Sequence, residues 1–232
     1  MALYDRQTTT IESRNVAFNT ESALVNFVKT TYKFFAASLL FATIGAVIGF
    51  MNFELVMRGD VRIGIFIAEI AALIALMFMK KTSGLNVFLL FVFTFLTGVA
   101  LVPLLGFVMA KSGVAAVAQA FGMTTIVFGA MSIFAIKTKS DLANMGKMLF
   151  ISLIVVVICS LINLFLGSPM LQVAISGAAV ILFSLFVAYD TQNIVRGLYE
   201  SPIQAAISLY LDFLNIFVSL LQLFGILGGR DD

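Results

Sequence analysis

The sequence contains no histidine and only one cysteine among its 232 residues. Without histidine the chain can form no histidine-ligated zinc or haem site, no imidazole proton relay and no Ser-His-Asp triad. The lone Cys159 excludes an intramolecular disulfide framework. Any proton chemistry in this protein must therefore rely mainly on carboxyl groups.

Charged residues are also scarce. They make up 11% of the chain, whereas 61% of its residues are hydrophobic. Soluble domains carry about 25% charged and about 45–50% apolar residues, and a soluble fold of this length cannot bury so much apolar surface. The formal net charge of +2 is small, so we expect no nucleic-acid partner. The composition predicts an all-α integral membrane protein in contact with membrane lipid.

Seven apolar segments follow a polar N-terminal stretch, and each is long enough to cross a bilayer as a helix of about 20 residues. Residues 1–29 are predicted to form a cytoplasmic tail with a short interfacial helix from about Ser22. Residues 30–229 form the seven-helix domain and residues 230–232 a short C-terminal tail. The predicted spans are Tyr32–Phe50, Arg62–Met79, Asn86–Ala110, Ala115–Ile136, Met148–Leu166, Leu171–Val195 and Ile203–Leu227.

The loop charges predict the orientation of the chain. Placing the N-terminus in the cytoplasm puts most of the 14 lysines and arginines on that side, as the positive-inside rule requires. Seven crossings then place the C-terminus outside. A re-entrant last segment is the alternative, and it would return the C-terminus to the cytoplasm.

Three carboxyl groups lie inside the predicted spans, where ionisable groups are costly and are functional candidates by default. Asp190 and Asp212 are equidistant from Ser201, in the break between the last two segments. In an antiparallel hairpin they should lie at the same depth and face each other. Two facing carboxyls cannot both ionise cheaply in a low dielectric, so they should share a proton. This aspartate pair is predicted to be a pH-sensitive latch that can bind calcium transiently.

The third carboxyl group, Glu69, lies in the middle of the second span. It is interpreted either as a pore-lining acid that attracts cations or as a protonated carboxyl hydrogen-bonded to a neighbour.

The last segment carries one polar stripe at helical spacing, formed by Ser208, Asp212, Asn215, Ser219 and Gln222. Such a stripe should face other helices or a wet cavity rather than lipid. Two interpretations stay open for it. The stripe either holds the bundle together by hydrogen bonds or lines a cation path with Ser208, Asn215 and Ser219.

Three stretches resemble the signature of the Bax inhibitor-1 family. They are FLTGVALVPLL at 95–105, AYDTQNI at 188–194 and AISLYLDFLNIF at 206–217. The resemblance implies seven transmembrane helices, with the last helix surrounded by the other six. It also implies a pH-sensitive calcium leak in which Asp190 and Asp212 form the latch and Glu69 is the acidic pore residue.

The resemblance further implies a basic residue that exchanges partners with the latch, and the spacing points to Lys80. That residue is an arginine in the family pattern, and lysine cannot form the pair of parallel hydrogen bonds that arginine forms with a carboxylate. Some bacterial members resemble modulators of a membrane-bound ATP-dependent protease, which is the alternative function. The short N-terminal tail and the short loops indicate that the protein is located in a bacterial inner membrane.

An intramembrane aspartyl protease is a third possibility, since two carboxyls sharing a proton can perform acid-base hydrolysis. The context of Asp212 lacks the Gly-x-Gly-Asp pattern of those enzymes. We therefore expect no enzymatic activity and no cofactor, with calcium as the permeant ion.

Overall fold

The computed structural model of the chain describes residues 21–78 and 84–228. In these ranges it contains nine α-helices, one 3₁₀ turn and no strand, which confirms the all-α class. The helices are α1 (Glu21–Met51), α2 (Phe53–Met57), α3 (Gly59–Phe78), α4 (Gly84–Ala100), α5 (Val102–Ser112), α6 (Val114–Lys137), α7 (Gly146–Leu166), α8 (Pro169–Val195) and α9 (Pro202–Leu227), and the 3₁₀ turn is Leu142–Met145.

Seven helical segments of the described chain are long and apolar enough to cross a membrane. They are α1, α3, α4 with α5, α6, the 3₁₀ turn with α7, α8, and α9. The predicted number of spans is therefore confirmed. The 26 residues of α9 extend about 39 Å, which exceeds the roughly 30 Å of the hydrocarbon layer and favours a full crossing over a re-entrant segment.

The first span differs from its prediction. Helix α1 begins at Glu21 and continues without interruption to Met51, so the expected separate interfacial helix from Ser22 is instead the start of the first span. The reason is local, because no glycine or proline lies between Ser22 and Tyr32 to break the helix. Residues 1–20 of the predicted tail and the C-terminal residues 230–232 lie outside the described residues.

Helices α4 and α5 form one span with a local irregularity at Leu101. Pro103 lies in the first turn of α5, where a missing amide hydrogen is tolerated. The backbone bonds from Leu101 N to Thr97 O (3.0 Å) and from Leu105 N to Leu101 O (2.9 Å) carry the helix across the junction. The span thus stays continuous despite its proline.

Two glycines allow α1 and α4 to pack with their backbones in close contact. A Cβ atom on Gly98 would lie 1.9 Å from the carbonyl oxygen of Ala42, and one on Gly45 would lie 2.1 Å from that of Phe95. Only glycine fits at such a crossing, and small residues commonly mediate close helix packing in membranes.

Helix α9 provides much of the core. A larger share of its apolar stretch is buried than in any other described span. Its main packing partners are α8, α1, α6 and α5. Leu209, Ile216 and Leu221 on this helix are completely buried. The enclosure of α9 by all six other spans stays a prediction.

Candidate functional site

The structure brings the aspartate pair together, as its spacing from the turn predicts. The carboxyl groups of Asp190 on α8 and Asp212 on α9 are in hydrogen-bonding contact. The two residues are only 7% and 4% exposed. Among the described residues the Oδ2 atom of Asp212 has no hydrogen-bond partner, so the pair retains a buried acceptor.

The turn between α8 and α9 sets this register. Helix α8 ends in a Schellman motif, in which Leu198 N donates to Asn193 O (2.9 Å) and Gly197 N donates to Ile194 O (3.0 Å). Gly197 adopts a φ of +66°, which a residue without a Cβ reaches at little cost. The Ser201 hydroxyl then accepts a bond from Gln204 N at the start of α9. These local signals hold the two helices antiparallel.

Tyr199, in the same turn, is a site residue that the sequence analysis missed. Its side chain interacts with the Asp190 carboxyl and with the Ser208 hydroxyl. Burial, together with the nearby Asp190 carboxylate, raises the pKa of the Tyr199 phenol above its ordinary value, so it stays a neutral donor. The available signal was a hydroxyl-bearing aromatic residue within the short turn that joins the two aspartate helices.

A cavity of about 1040 Å³ extends from the aspartate pair along α9 to the opposite end of the bundle, and it is bordered by α5, α7, α8 and α9. Its volume is at the upper end of the roughly 300–1,000 Å³ typical of ligand pockets. All five residues of the polar stripe line it. The polar lining comprises Lys111, Ser160, Asn163, Ser168, Gln172, Ser176, Asp190, Ser208, Asp212, Asn215, Ser219 and Gln222.

An amide cluster at the end of the cavity remote from the aspartate pair joins α7, α8 and α9. Gln222 Oε1 accepts bonds from Gln172 Nε2 and from the Ser176 hydroxyl, both at 2.8 Å. Gln172 Oε1 in turn accepts from Asn163 Nδ2 at 2.9 Å. The polar stripe therefore has two parts, because Gln222 holds helices together whereas Ser208 and Asp212 belong to the aspartate end.

The structure places Glu69 away from this cavity. Its half-buried side chain lies on α3, which packs mainly against α4, and it is not among the residues that line the cavity. Its carboxyl group interacts electrostatically with Tyr210, whose hydroxyl hydrogen-bonds Thr97. Tyr210 and Asp212 are two residues apart and so lie on nearly opposite faces of α9. Glu69 thus lies outside the cavity that Ser208, Asn215 and Ser219 line, and its place in a cation path stays a prediction.

Lys80, the predicted exchange partner of the aspartate pair, lies outside the described residues.

The connection between α6 and α7 is fastened to the end of α8 that carries Asp190. Arg196 forms an ion pair with Asp141, and Gln192 Oε1 accepts a bond from Leu142 N at 2.8 Å. The Ala143 amide and then the Arg196 guanidinium hold the pKa of the Asp141 carboxyl below its ordinary value. The contact therefore stays charged at neutral pH.

Comparison with known proteins agrees with the geometry. The family model described as "Inhibitor of apoptosis-promoting Bax1" matches residues 24–229. The chain belongs to the Bax inhibitor-1 family. Its matches include a Helicobacter pylori protein that is 65% identical over 231 residues, covering 100% of both chains. The Escherichia coli K12 inner membrane protein YbhL is 37% identical over 176 residues, covering 70% of this chain and 74% of YbhL.

Similarity across the family extends to other bacteria. A Campylobacter jejuni protein is 50% identical to this Bax inhibitor-1 family member over 228 residues, covering 96% of this chain and 97% of the relative. Relatives named as membrane proteins and seven membrane-spanning helices together identify the protein as a multi-pass membrane protein.

Proposed function

We propose that this Bax inhibitor-1 family protein is a passive, pH-sensitive cation path through which calcium permeates. The observation that carries the proposal is a pair of buried carboxyl groups in contact at one end of a cavity that extends along the bundle. The polar stripe of α9 provides oxygen and amide groups along the same cavity. Ionisable groups in such positions are characteristic of ion and proton pathways.

The aspartate pair supplies the pH sensitivity. At low pH one shared proton holds Asp190 against Asp212 and thereby fixes α8 against α9. At higher pH the proton leaves, and two carboxylates about 4 Å apart repel by about 4 kcal/mol at an effective dielectric constant of 20. That is enough to shift an equilibrium between conformations that differ by a few kcal/mol.

Calcium should compete with protons for this pair. Ca²⁺ prefers six to eight oxygen ligands, and the two carboxyl groups offer at most four. Among residues 21–78 and 84–228 no cluster of three or more carboxylate or thiol ligands forms. A calcium ion at the pair would therefore retain water and bind transiently, which suits permeation rather than storage.

The name of the relative YbhL supports an inner-membrane location for this protein. With the N-terminus in the cytoplasm, as the loop charges predict, the aspartate pair lies towards the cytoplasmic side. Lys111, at the other end of the cavity, then lies towards the outside.

Calcium flux into liposomes across a pH series tests the proposal. Purified wild-type protein should conduct calcium with a pH-dependent rate, and the Asp190→Asn plus Asp212→Asn variant should lose that dependence. Asp141→Asn is the matched control, because it removes a carboxylate at the same end of the bundle but outside the spans. Absence of flux at every pH, or an unchanged pH response in the double variant, would contradict the proposal.

A further inference from the structure

The cavity beside α9 has two chemically different walls. Helices α8 and α9 present the aspartate pair and most of the hydroxyl and amide groups beside apolar side chains. Helices α5 and α7 present mainly hydrocarbon side chains, with Lys111, Ser160 and Asn163 as their polar lining residues. The apolar lining of this second wall comprises Leu104 and Phe107 on α5 with Leu153, Val156, Val157, Leu161 and Leu164 on α7. A cavity with these two walls suits an amphipathic ligand.

The apolar wall is formed by helices that pack with different partners. Helix α5 packs against α6 and α9, whereas α7 packs against α8. Phe107, Leu161 and Leu164 keep 51%, 55% and 75% of their surface exposed while they line the cavity. Both helices belong to membrane spans, so the space between them adjoins the hydrocarbon layer. An acyl chain can therefore enter the cavity from the side.

A basic residue lies at the rim of the cavity. Lys111 is in the last turn of α5, and its Nζ atom lies 5.8 Å from the centre of the Phe107 ring. Ser168, which caps α8, lines the cavity at the same end of the bundle. Lysines at helix ends extend their charge to the headgroup layer, where it attracts phosphate. The rim therefore has the charge that complements an anionic headgroup.

We propose that this cavity binds one anionic phospholipid, with an acyl chain between α5 and α7 and its phosphate at Lys111. The apolar wall shields the acyl chain from water on the polar side of the cavity, and the positive charge of Lys111 favours a negatively charged headgroup. The proposal does not depend on cation conduction.

The absence of tryptophan from the sequence makes an introduced tryptophan the sole fluorophore of its kind. Leu161→Trp places this reporter in the cavity. Phe165→Trp places it on the same helix, at a residue that is 88% exposed and does not line the cavity. Each variant is reconstituted in phosphatidylcholine vesicles that contain brominated phosphatidylglycerol or, at equal mole fraction, brominated phosphatidylethanolamine.

Bromine on the acyl chain should quench the Leu161→Trp reporter at about fivefold lower mole fraction for the anionic lipid, the selectivity that one basic residue contributes at a membrane surface. The Phe165→Trp reporter should show no headgroup preference. Lys111→Gln should abolish the preference at position 161. Lys137→Gln, which removes the same charge at the other end of the bundle, should preserve it.

Two results would overturn the proposal. An equal preference at both reporters would mean general enrichment of anionic lipid around the protein only. If the Leu161→Trp reporter keeps its preference for the anionic lipid in the Lys111→Gln background, Lys111 does not contribute to lipid binding.

Discussion

Removing the Tyr199 hydroxyl should shift the pH at which calcium flux changes. This hydroxyl interacts with the Asp190 carboxyl, towards which an O–H group acts as a donor. Because burial raises the pKa of Tyr199, the phenol keeps its proton throughout the assay and does not titrate itself. Tyr199→Phe therefore changes one interaction of the aspartate pair and leaves both carboxyl groups in place.

The sign and the upper limit of the shift follow from this interaction. A hydrogen bond to a charged group contributes about 1.5–3 kcal/mol, and about 1.4 kcal/mol corresponds to one pH unit. The donor stabilises the ionised form of the pair, so its loss favours the protonated form. The midpoint of the pH response should consequently move to higher pH by up to about two units.

The assay is calcium entry into liposomes as a function of pH, with the midpoint as the readout because it does not depend on the amount of active protein. Tyr189→Phe is the matched control, since this tyrosine directly precedes Asp190 but its hydroxyl lies against Gly146. The control should keep the wild-type midpoint. An unmoved or lowered midpoint in Tyr199→Phe, or an equal shift in Tyr189→Phe, would refute the reasoning.

Four further substitutions test other parts of the structure. Gly98→Ala forces a Cβ against the backbone of α1 and should lower stability by about 1–3 kcal/mol in thermal unfolding in detergent. Gly122→Ala is the control, because a Cβ atom at this position would have no neighbouring atom within 4 Å, and this variant should be more stable by up to about 1 kcal/mol. Equal effects of the two glycine substitutions on stability would contradict the close contact between α1 and α4. Asp141→Asn should accelerate amide hydrogen exchange in the 3₁₀ turn by weakening the contact with Arg196, and unchanged exchange would argue against this fastening. Because the pKa of Asp141 is lowered, the wild-type contact should persist at neutral pH and weaken as pH falls through that lowered value. Glu69→Gln should leave the flux midpoint unchanged because its carboxyl interacts with the opposite face of α9, and a shift as large as that of an aspartate variant would contradict this placement.

The contact within the aspartate pair could be predicted from the sequence alone. The contact between Asp190 and Asp212 follows from equal distances to a turn, because the rise per residue is the same in both helices. The role of Tyr199 was not predicted, because it depends on how the backbone of the turn directs the Tyr199 side chain back towards α8. Glu69 is a polar residue in an apolar span, but polarity does not reveal which neighbour its helix faces, and its place in a cation path stays a prediction.

The amino-acid sequence alone is enough to predict the helical class, the seven spans and the common depth of the aspartate pair. These features depend on the length and hydropathy of each segment, and the bilayer requires every spanning segment to satisfy its own backbone hydrogen bonds. The three-dimensional structure is needed to show which helices border the polar stripe, where Glu69 lies and how closely α1 approaches α4. Lipid and apolar side chains solvate a helix almost equally well, so hydropathy does not specify its rotation or its neighbours, and detailed packing has to select them.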